Sequence, residues 1–452
     1  MKKILFVSLG CDKNLVDTEH MLGALPEGEF AATDDEAEAD VIVVNTCCFI
    51  DDAKEESINT ILELAPYRTD GKCRALIVAG CMAQRYREEI LKEIPEVDAI
   101  VGTGSFGSLN EAIRAAFVGE NGVFLDDPDA EPGPETKAKK KRVITTGGHY
   151  EYLKIAEGCD KHCTYCVIPS LRGAYRSVPI EELAEEAQGL ADEGVAELIL
   201  IAEETTRYGI DLYGKKSLHT LLDRLCEIDG LRWIRILYCY PEEIYPELIE
   251  TIRRQPKVCH YLDLPIQHSD DEILRRMGRK TSHDDLVRII GTLRDEIPDI
   301  ALRTTLITGF PGETEEQHRN LLAFVREVKF DRLGVFTYSR EEGTPAAEMD
   351  GQISDDVKER RRGEIMEAQQ KVSKENGKKR IGTSMEVEIE GYMAADEVYA
   401  GRTYADTPGV DGYCFVKSDD PLESGDFVTV RITGATEYDL VGEAQYDEGE
   451  EL

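Results

Sequence analysis

The stretch EGCDKHCTYC, residues 157–166, sets Cys159, Cys163 and Cys166 in a C-x3-C-x2-C spacing with no fourth cysteine close by. Thiolates bind soft metals, and a structural zinc or an electron-transfer iron–sulfur centre fills its coordination from the protein. Three thiolates on a four-iron cubane leave one iron open. That iron can bind and reduce a small molecule. A zinc knuckle or a chance grouping of core cysteines is the competing interpretation.

A second set is spread along the chain. SLGC, NTCC and VAGC place Cys11, Cys47 and Cys81 after three apolar runs, separated by 36 and 34 residues, the length of one βαβ repeat. In a parallel sheet the ends of such strands share one edge, so distant cysteines converge. Again only three ligands meet, which implies a second cluster with an open iron, three buried core cysteines being the alternative. Cys48 follows Cys47 directly and should point elsewhere, so it is read as non-ligating. Cys73 lies nearby, and Cys226, Cys239, Cys259 and Cys414 fall in or beside apolar patterns as core residues.

The elements that must position these cysteines follow from hydrophobic periodicity. KILFVSLG, DVIVVNT, ALIVAG and DAIVGTG read as strands alternating with helical segments such as AKEESINTILELA, giving an α/β domain on a parallel sheet over residues 1–118. Residues 119–148, DDPDAEPGPE followed by KAKKKR, read as a linker with a solvated basic tether. A longer alternation over 149–376 supplies six strands, YLKIAEG, AELILIA, WIRILY, YLDLPI, ALRTTLIT and RLGVFTYS, which predict a partial (β/α)6 barrel resembling a TIM barrel. The C-x3-C-x2-C stretch follows the first of them, at the carboxyl edge where barrel active sites assemble. DDVKERRRGEIMEAQQKVSKENGKKR reads as a long charged helix leading out. Over 377–452, MEVEIEGY, EVYAGRTYA, GYCFVKS and DFVTVRITGA alternate with period two and predict a small antiparallel β-barrel.

With 53 Lys or Arg against 90 Asp or Glu, the 452-residue chain carries a formal charge of −37. Such a surface repels nucleic acid and attracts a basic protein, or keeps the chain soluble in a salty cytoplasm. No run of eighteen apolar residues exists, and MKKILFVSLGCDKN turns polar too soon for a signal peptide. A cytoplasmic location without membrane association is expected, where cysteines serve as ligands, catalysts or core.

C-x3-C-x2-C with the aromatic Tyr165 before its last cysteine resembles the radical S-adenosylmethionine (SAM) superfamily. The resemblance implies that the open iron chelates the methionine amino and carboxyl groups, and that electron transfer cleaves the sulfonium to a 5′-deoxyadenosyl radical. An N-terminal three-cysteine domain, a radical barrel and a small C-terminal barrel together resemble the methylthiotransferases over nearly the whole chain. SLGCDKNLVDTE, NTCCFI, VAGCMAQRY, CVIPSLRG, YLDLPIQHSDDEILRRMGR, LITGFPGETEE and GVFTYSREEGTPA are similar to the branch that modifies the twelfth small-subunit ribosomal protein (RimO-type). PSLRG favours that branch over the tRNA-modifying one, whose stretch reads closer to PYTRG. The chain departs from the branch at Cys48, usually glycine, at Glu203 and Glu204, usually Gln-Asp, and at DTPGVDG, usually nearer APEIDG. The second departure bears on cofactor contact.

The resemblance implies two 4Fe–4S clusters, on Cys159, Cys163 and Cys166 and on Cys11, Cys47 and Cys81, with SAM as both methyl donor and radical source. The product is a methylthio group on the β-carbon of an aspartate of that ribosomal protein. A sulfur donor and an electron donor such as flavodoxin or ferredoxin are implied partners. For SAM itself, Glu203, Glu204 and Thr205 follow the second barrel strand, where carboxylates meet an ammonium and ribose hydroxyls. Arg303 offers a bidentate fork to the methionine carboxylate. Gly309 and Gly312 allow close backbone approach, and Val335 and Phe336 end the last strand beside the adenine. Surface salt bridges and barrel packing are the alternatives at each. His268 in IQHS is catalytic or structural, and LITGFPGE lacks the Gly-Lys-Ser/Thr ending of a phosphate loop.

The last domain matches what the family calls a TRAM domain, often regarded as RNA-binding. From residue 380 onward it holds four Lys or Arg against eighteen Asp or Glu. Each phosphate contact requires a cation, so RNA binding is not expected, whereas a basic ribosomal protein would be steered in. Acidity from a high-salt habitat is the competing account. A tRNA methylthiotransferase of the same architecture, or an iron–sulfur electron-transfer or zinc-binding adaptor, are the alternative functions.

Overall fold

The computed structural model describes residues 1–129 and 142–446. Most of the basic run KAKKKR and the stretch before it lie outside the described residues. Contacts divide the chain into two bodies. The first comprises Met1–Thr145, Glu157–Arg176 and Ser339–Ala347, and the second comprises Thr146–Ala156, Ser177–Tyr338 and Glu348–Leu452. Among the described residues no helix is long and apolar enough to cross a membrane.

In the first body β1 (Lys2–Ser8), β2 (Phe30–Ala32), β3 (Val41–Thr46), β4 (Ala75–Gly80), β5 (Ala99–Val101) and β6 (Gly122–Phe124) form one parallel sheet in the order β2-β1-β3-β4-β5-β6. VIVVNT and ALIVAG are buried along their whole length, as expected of strands covered on both faces. One face packs Ile42, Val44, Leu76 and Val78 against Ile61 and Leu64 of α2 (Asp51–Thr69). The other packs Val41, Val43 and Ile77 against Met21, Ala112 and Ile113, from α1 (Asp12–Gly23) and the helix Leu109–Phe117. The order reverses between β1 and β3, so this α/β unit has its switch point there.

The stretch expected as a linker is partly structured. Gly122–Phe124 pairs in parallel with β5. Arg142, the last residue of the basic run, is not a solvated tether: it donates to the buried Glu19 at 2.6 Å and 2.8 Å. Thr145 donates to the same carboxylate from both its amide and its hydroxyl, each at 2.8 Å. A buried carboxylate requires partners, and this segment supplies them.

In the second body, β7 (Tyr150–Lys154) begins the barrel sheet. The short β8 (Ala156–Glu157) and β9 (Arg176–Ser177) pair as a separate two-stranded sheet. The sheet continues through β10 (Glu197–Ile201), β11 (Trp233–Ile236), β12 (Val258–Asp263), β13 (Ala301–Thr308) and β14 (Arg332–Thr337), in the order β14-β13-β12-β11-β10-β7. All pairs are parallel. The register sets Glu197, Arg235, Tyr261, Asp263, Arg303, Thr305, Ile307, Arg332 and Phe336 on one face. The opposite face, with Leu198, Ile234, Leu262, Leu302 and Leu306, is buried and apolar. Beyond the long helix Asp355–Arg380, β15 (Ser384–Met393), β16 (Val398–Thr403), β17 (Cys414–Lys417), β18 (Phe427–Ala435) and β19 (Leu440–Ala444) close into a small barrel.

That small barrel is joined to the amino-terminal portion of the sheet by buried charge. Arg402, 1% exposed, donates to Glu197 at 2.6 Å and to Glu388 at 2.8 Å, and pairs with Glu390. Arg235 donates to Glu197 at 2.7 Å and to the Tyr404 carbonyl at 2.6 Å. Two cations face three carboxylates, so neutrality is reached when one carboxyl keeps its proton. Burial, and then the charge of Glu197, push Glu388 well above the ordinary carboxylate range despite Arg402 beside it. Burial alone would raise Glu197, but Arg235 and Arg402 hold it below that range.

Two outcomes follow for stability. Arg402→Ala strands buried carboxylates and should cost about 3–5 kcal/mol in urea unfolding. The folded chain keeps a proton on Glu388 that the unfolded chain releases above its ordinary pKa of about 4.3. This group's contribution to stability therefore falls as pH rises from there until Glu388 itself ionises. Glu388→Gln should keep the neutral-pH stability and flatten that decline in melting curves taken across pH.

Candidate functional site: two sets of three cysteines

Cys11 stands at the N-cap of α1 just past β1, Cys47 just past β3, and Cys81 opens the helix Cys81–Tyr86 directly after β4. β1, β3 and β4 are neighbours with aligned ends, Ser8 beside Asn45 and Thr46 beside Gly80. Gly10 has φ +90°, and a Cβ there would fall 2.5 Å from Cys47 Cβ and 2.9 Å from its Sγ. The backbone is thus carved to leave room around the thiols. Ser57 holds Cys47 from both sides, accepting from its amide at 3.1 Å and donating to its carbonyl at 2.9 Å.

Burial pushes the Cys47 and Cys81 thiols up, and at both the cation of Arg172 works against burial. Cys81 also feels the charges of Cys11, Cys48 and Cys47. The Cys48 side chain lies in the apolar cluster with Ile61, Leu64 and Val78, and burial pushes its thiol up to about 12.

The C-x3-C-x2-C loop belongs to this same body. Cys159 and Cys163 are buried and Cys166 is partly exposed, as is Tyr165. The Cys159 amide donates to the Gly173 carbonyl at 3.0 Å, and that of Cys166 to Cys163 at 3.0 Å. Gly158, at φ +74°, could not carry a Cβ, which would sit 2.2 Å from the Ala174 carbonyl oxygen. The loop Ser339–Ala347 adds a further hold: the Ala346 amide donates to the Thr164 carbonyl at 2.9 Å. Its Glu341, 1% exposed, pairs with Arg85 at 2.9 Å and Lys54 at 3.0 Å.

Among the described residues no three His, Cys, Asp or Glu side chains close around one point as ligands of a single ion would. In a cubane each thiolate binds its own iron. Three soft thiols in a glycine-carved, mostly buried cradle are a donor set suited to an iron–sulfur cluster rather than to a hard cation.

On the second body the residues expected around SAM divide. Glu203 is half-buried beyond β10, while Glu204 is fully buried and accepts from the Thr206 hydroxyl at 2.6 Å. Phe336 is 53% exposed and pairs in register with Ile307 on the barrel's inner face, so the two make an apolar patch at the carboxyl ends of their strands. Ile307 had not been anticipated from sequence. The other residues singled out for SAM meet partners within this chain. Thr205 is buried and its hydroxyl donates to the Leu237 carbonyl at 2.7 Å. Arg303 is taken up by Asp263 at 2.7 Å and Asp411 at 3.4 Å. Val335 pairs with Leu306 and packs on the helix side. The space beside Gly309 is filled by the Lys358 stem and that beside Gly312 by Arg276, so both glycines serve packing. His268 is fully buried, with Nδ1 accepting from the Asp270 amide at 3.0 Å. It is structural.

Sequence reasoning also passed over Asn14 and Arg172, each inside a quoted motif without a role. The structure brings both, fully or nearly buried, to the first set of cysteines.

Comparison with known proteins adds three domain matches: uncharacterized protein family UPF0004 over residues 3–102, the radical SAM superfamily over 153–325 and a TRAM domain over 381–444. A protein of Lachnoclostridium phytofermentans named ribosomal protein uS12 methylthiotransferase RimO is 59% identical over 443 residues, covering 98% of this chain and 100% of that one. Proteins of the same name from Pelotomaculum thermopropionicum and Clostridioides difficile are 51% and 49% identical, over 98% and 99% of this chain and 99% and 100% of theirs. Among solved structures, the radical SAM methyltransferase TsrM from Kitasatospora setae, with cobalamin and a 4Fe–4S cluster, shares the fold. Its TM-score is 0.57 at 16% identity, covering 85% of this chain and 79% of that one.

Because the Cys48 thiol is a core group, Cys48→Ala should leave bound iron per reconstituted chain unchanged. Cys47→Ala should lose about half of it. Iron analysis of the two variants side by side reads the difference.

Proposed function

The chain belongs to the radical SAM methylthiotransferase family, in the branch of the uS12 enzymes, and on that premise we propose that it inserts a methylthio group at the β-carbon of an aspartate of ribosomal protein uS12. The observation that carries the reading is the pair of three-cysteine sets on one body. Cys159, Cys163 and Cys166 would hold one 4Fe–4S cluster, and Cys11, Cys47 and Cys81 a second. When bound, the first would supply the electron that cleaves SAM, and the second would supply sulfur.

The chain's own residues do the rest. Gly10 leaves room for the Cys47 side chain, and Gly158 lets the Gly173–Ala174 backbone close onto the base of the cysteine loop. Arg172 sets a positive charge beside thiols that must lose their protons to bind iron. On the barrel, Glu203 is the candidate for SAM's polar groups, and Ile307 with Phe336 for its adenine. SAM serves as both methyl source and radical source. A flavodoxin- or ferredoxin-like donor would bring electrons and a separate donor sulfur.

The charge of the last domain supports a protein substrate. Four cations among eighteen carboxylates cannot neutralise an RNA backbone, and one of the four, Arg402, is buried in the ion network. A basic ribosomal protein would be attracted instead, an attraction that salt screens.

Two measurements test the reading. The triple variant Cys159/Cys163/Cys166→Ala should keep about four irons and lose all SAM cleavage, whereas Cys47→Ala should keep cleavage and lose sulfur insertion. After one turnover, mass spectrometry should find one methylthio group on uS12 and none on a tRNA anticodon stem-loop. The reverse result would sink the substrate assignment.

A further inference from the structure

Asn14 is fully buried one turn into α1, and its side-chain amide touches the chain at all three cysteines of the first set. Nδ2 donates to the Leu9 carbonyl at 2.9 Å, two residues before Cys11, and to the Thr46 carbonyl at 3.1 Å, immediately before Cys47. Oδ1 lies 3.9 Å from Cys81 Sγ, which donates to it. The Asn14 main-chain carbonyl accepts from Asn45 Nδ2 at 2.8 Å, binding the ends of β3 and α1 a second time. A carboxamide offers two donors and an acceptor with two lone pairs from one rigid plane, and all are used.

The remaining Oδ1 position is filled by Arg172, which is 2% exposed and donates from Nη2 at 2.7 Å. The same guanidinium reaches Asp17 at 3.1 Å and, through Nη1, Glu157 at 2.9 Å. Glu157 stands two residues before Cys159, and Arg172 six residues after Cys166. One planar fork therefore joins the amide that ties the first set to both ends of the loop that carries the second. A lysine would keep the charge but could not span three acceptors in fixed directions.

We propose that Asn14 and Arg172 form a positioning pair, which holds the three strand-end cysteines in register before iron arrives and ties that register to the C-x3-C-x2-C loop. The inference rests on the two-cluster reading. Neither residue binds iron, and each acts through the backbone and side chains it holds. Burial makes the arrangement strict, because removing this amide takes a donor from both the Leu9 and the Thr46 carbonyls.

The test uses the full chain. Asn14→Asp keeps the shape and removes both N–H donors; Arg172→Gln removes the fork, and Arg172→Lys retains its charge. In iron-free protein, Asn14→Asp, which removes two buried hydrogen bonds, should make Cys47 and Cys81 react with iodoacetamide at least about tenfold faster, with Cys239 and Cys259 still protected. After reconstitution it should hold about four irons where the parent holds about eight, with the electron paramagnetic resonance signal of the first set lost and SAM cleavage retained. Arg172→Gln should lose the same signal and also shift that of the barrel-loop cluster, and Arg172→Lys should recover part of both. Eight irons and parental spectra in Asn14→Asp would overturn the positioning pair alone. Equal exposure of all cysteines would reduce Asn14 to a folding residue and overturn it too. Four irons in the parent would overturn the two-cluster reading and this inference with it.

Discussion

Strand direction is the constraint from which the rest of this structure follows. When every strand of a sheet runs the same way, each delivers its last residue to the same edge, whatever the distance along the chain. Thirty-six and thirty-four residues separate Cys11, Cys47 and Cys81, yet β1, β3 and β4 set them side by side. The reversal of strand order lies between β1 and β3, where the helices leave to opposite faces and a crevice must open. Two of the three cysteines flank that crevice. A group held by residues from several strand ends needs space as well as ligands, and the switch point is where this topology provides the space without breaking a core.

Space at a sheet edge carries a cost in polar groups. Backbone that turns away from the sheet leaves carbonyls unpaired, and in a buried site each must find a donor. Asn14 meets that need for Leu9 and Thr46, Thr46 itself donates to the Ala79 carbonyl at 2.5 Å, and Ser57 closes the backbone of Cys47. The second body solves a related problem at the opposite ends of its strands. There Arg235, Arg402, Glu197 and Glu388 bury charge against charge where the last domain packs. Buried ion pairs contribute little net stability but penalise any other docking geometry strongly. In both bodies polar groups define where neighbouring segments must lie, while apolar strands supply the driving force.

The sequence made visible whatever depends on period and spacing. Six barrel strands, the central strands of the first sheet and both three-cysteine sets follow from alternation and repeat length. The short edge strands Phe30–Ala32 and Gly122–Phe124 did not, because three residues carry no period. Side-chain direction was equally hidden. Arg303 looked poised for a carboxylate, and it does bind carboxylates, but they are Asp263 and Asp411 of this chain, the latter arriving from a domain more than a hundred residues away in sequence. Val335 and Phe336 are adjacent in sequence and face opposite ways, which only the register with Leu306 and Ile307 decides. Asn14 was legible as a polar residue in a helix and nothing more, since its partners come from three other segments.

These placements separate two tasks within the second body. Arg303, Arg332, Asp406 and Asp411 meet where the small barrel docks, and Tyr261 donates to Asp411 at 2.7 Å. Side chains there are consumed by one another. Ile307 and Phe336 stand further along the same face, at the carboxyl ends, where Phe336 remains open to solvent. A ligand of this barrel therefore meets an apolar patch at one end of the strands, and the docking ions close the other. The acidic last domain belongs to the closed end, so under the proposed function its charge would act on a basic partner through the field around the molecule rather than through contact at the open end. Field effects of that kind govern how fast partners meet more than how tightly they hold. Choice of substrate would then be divided between an encounter set by charge and a fit set at the open end.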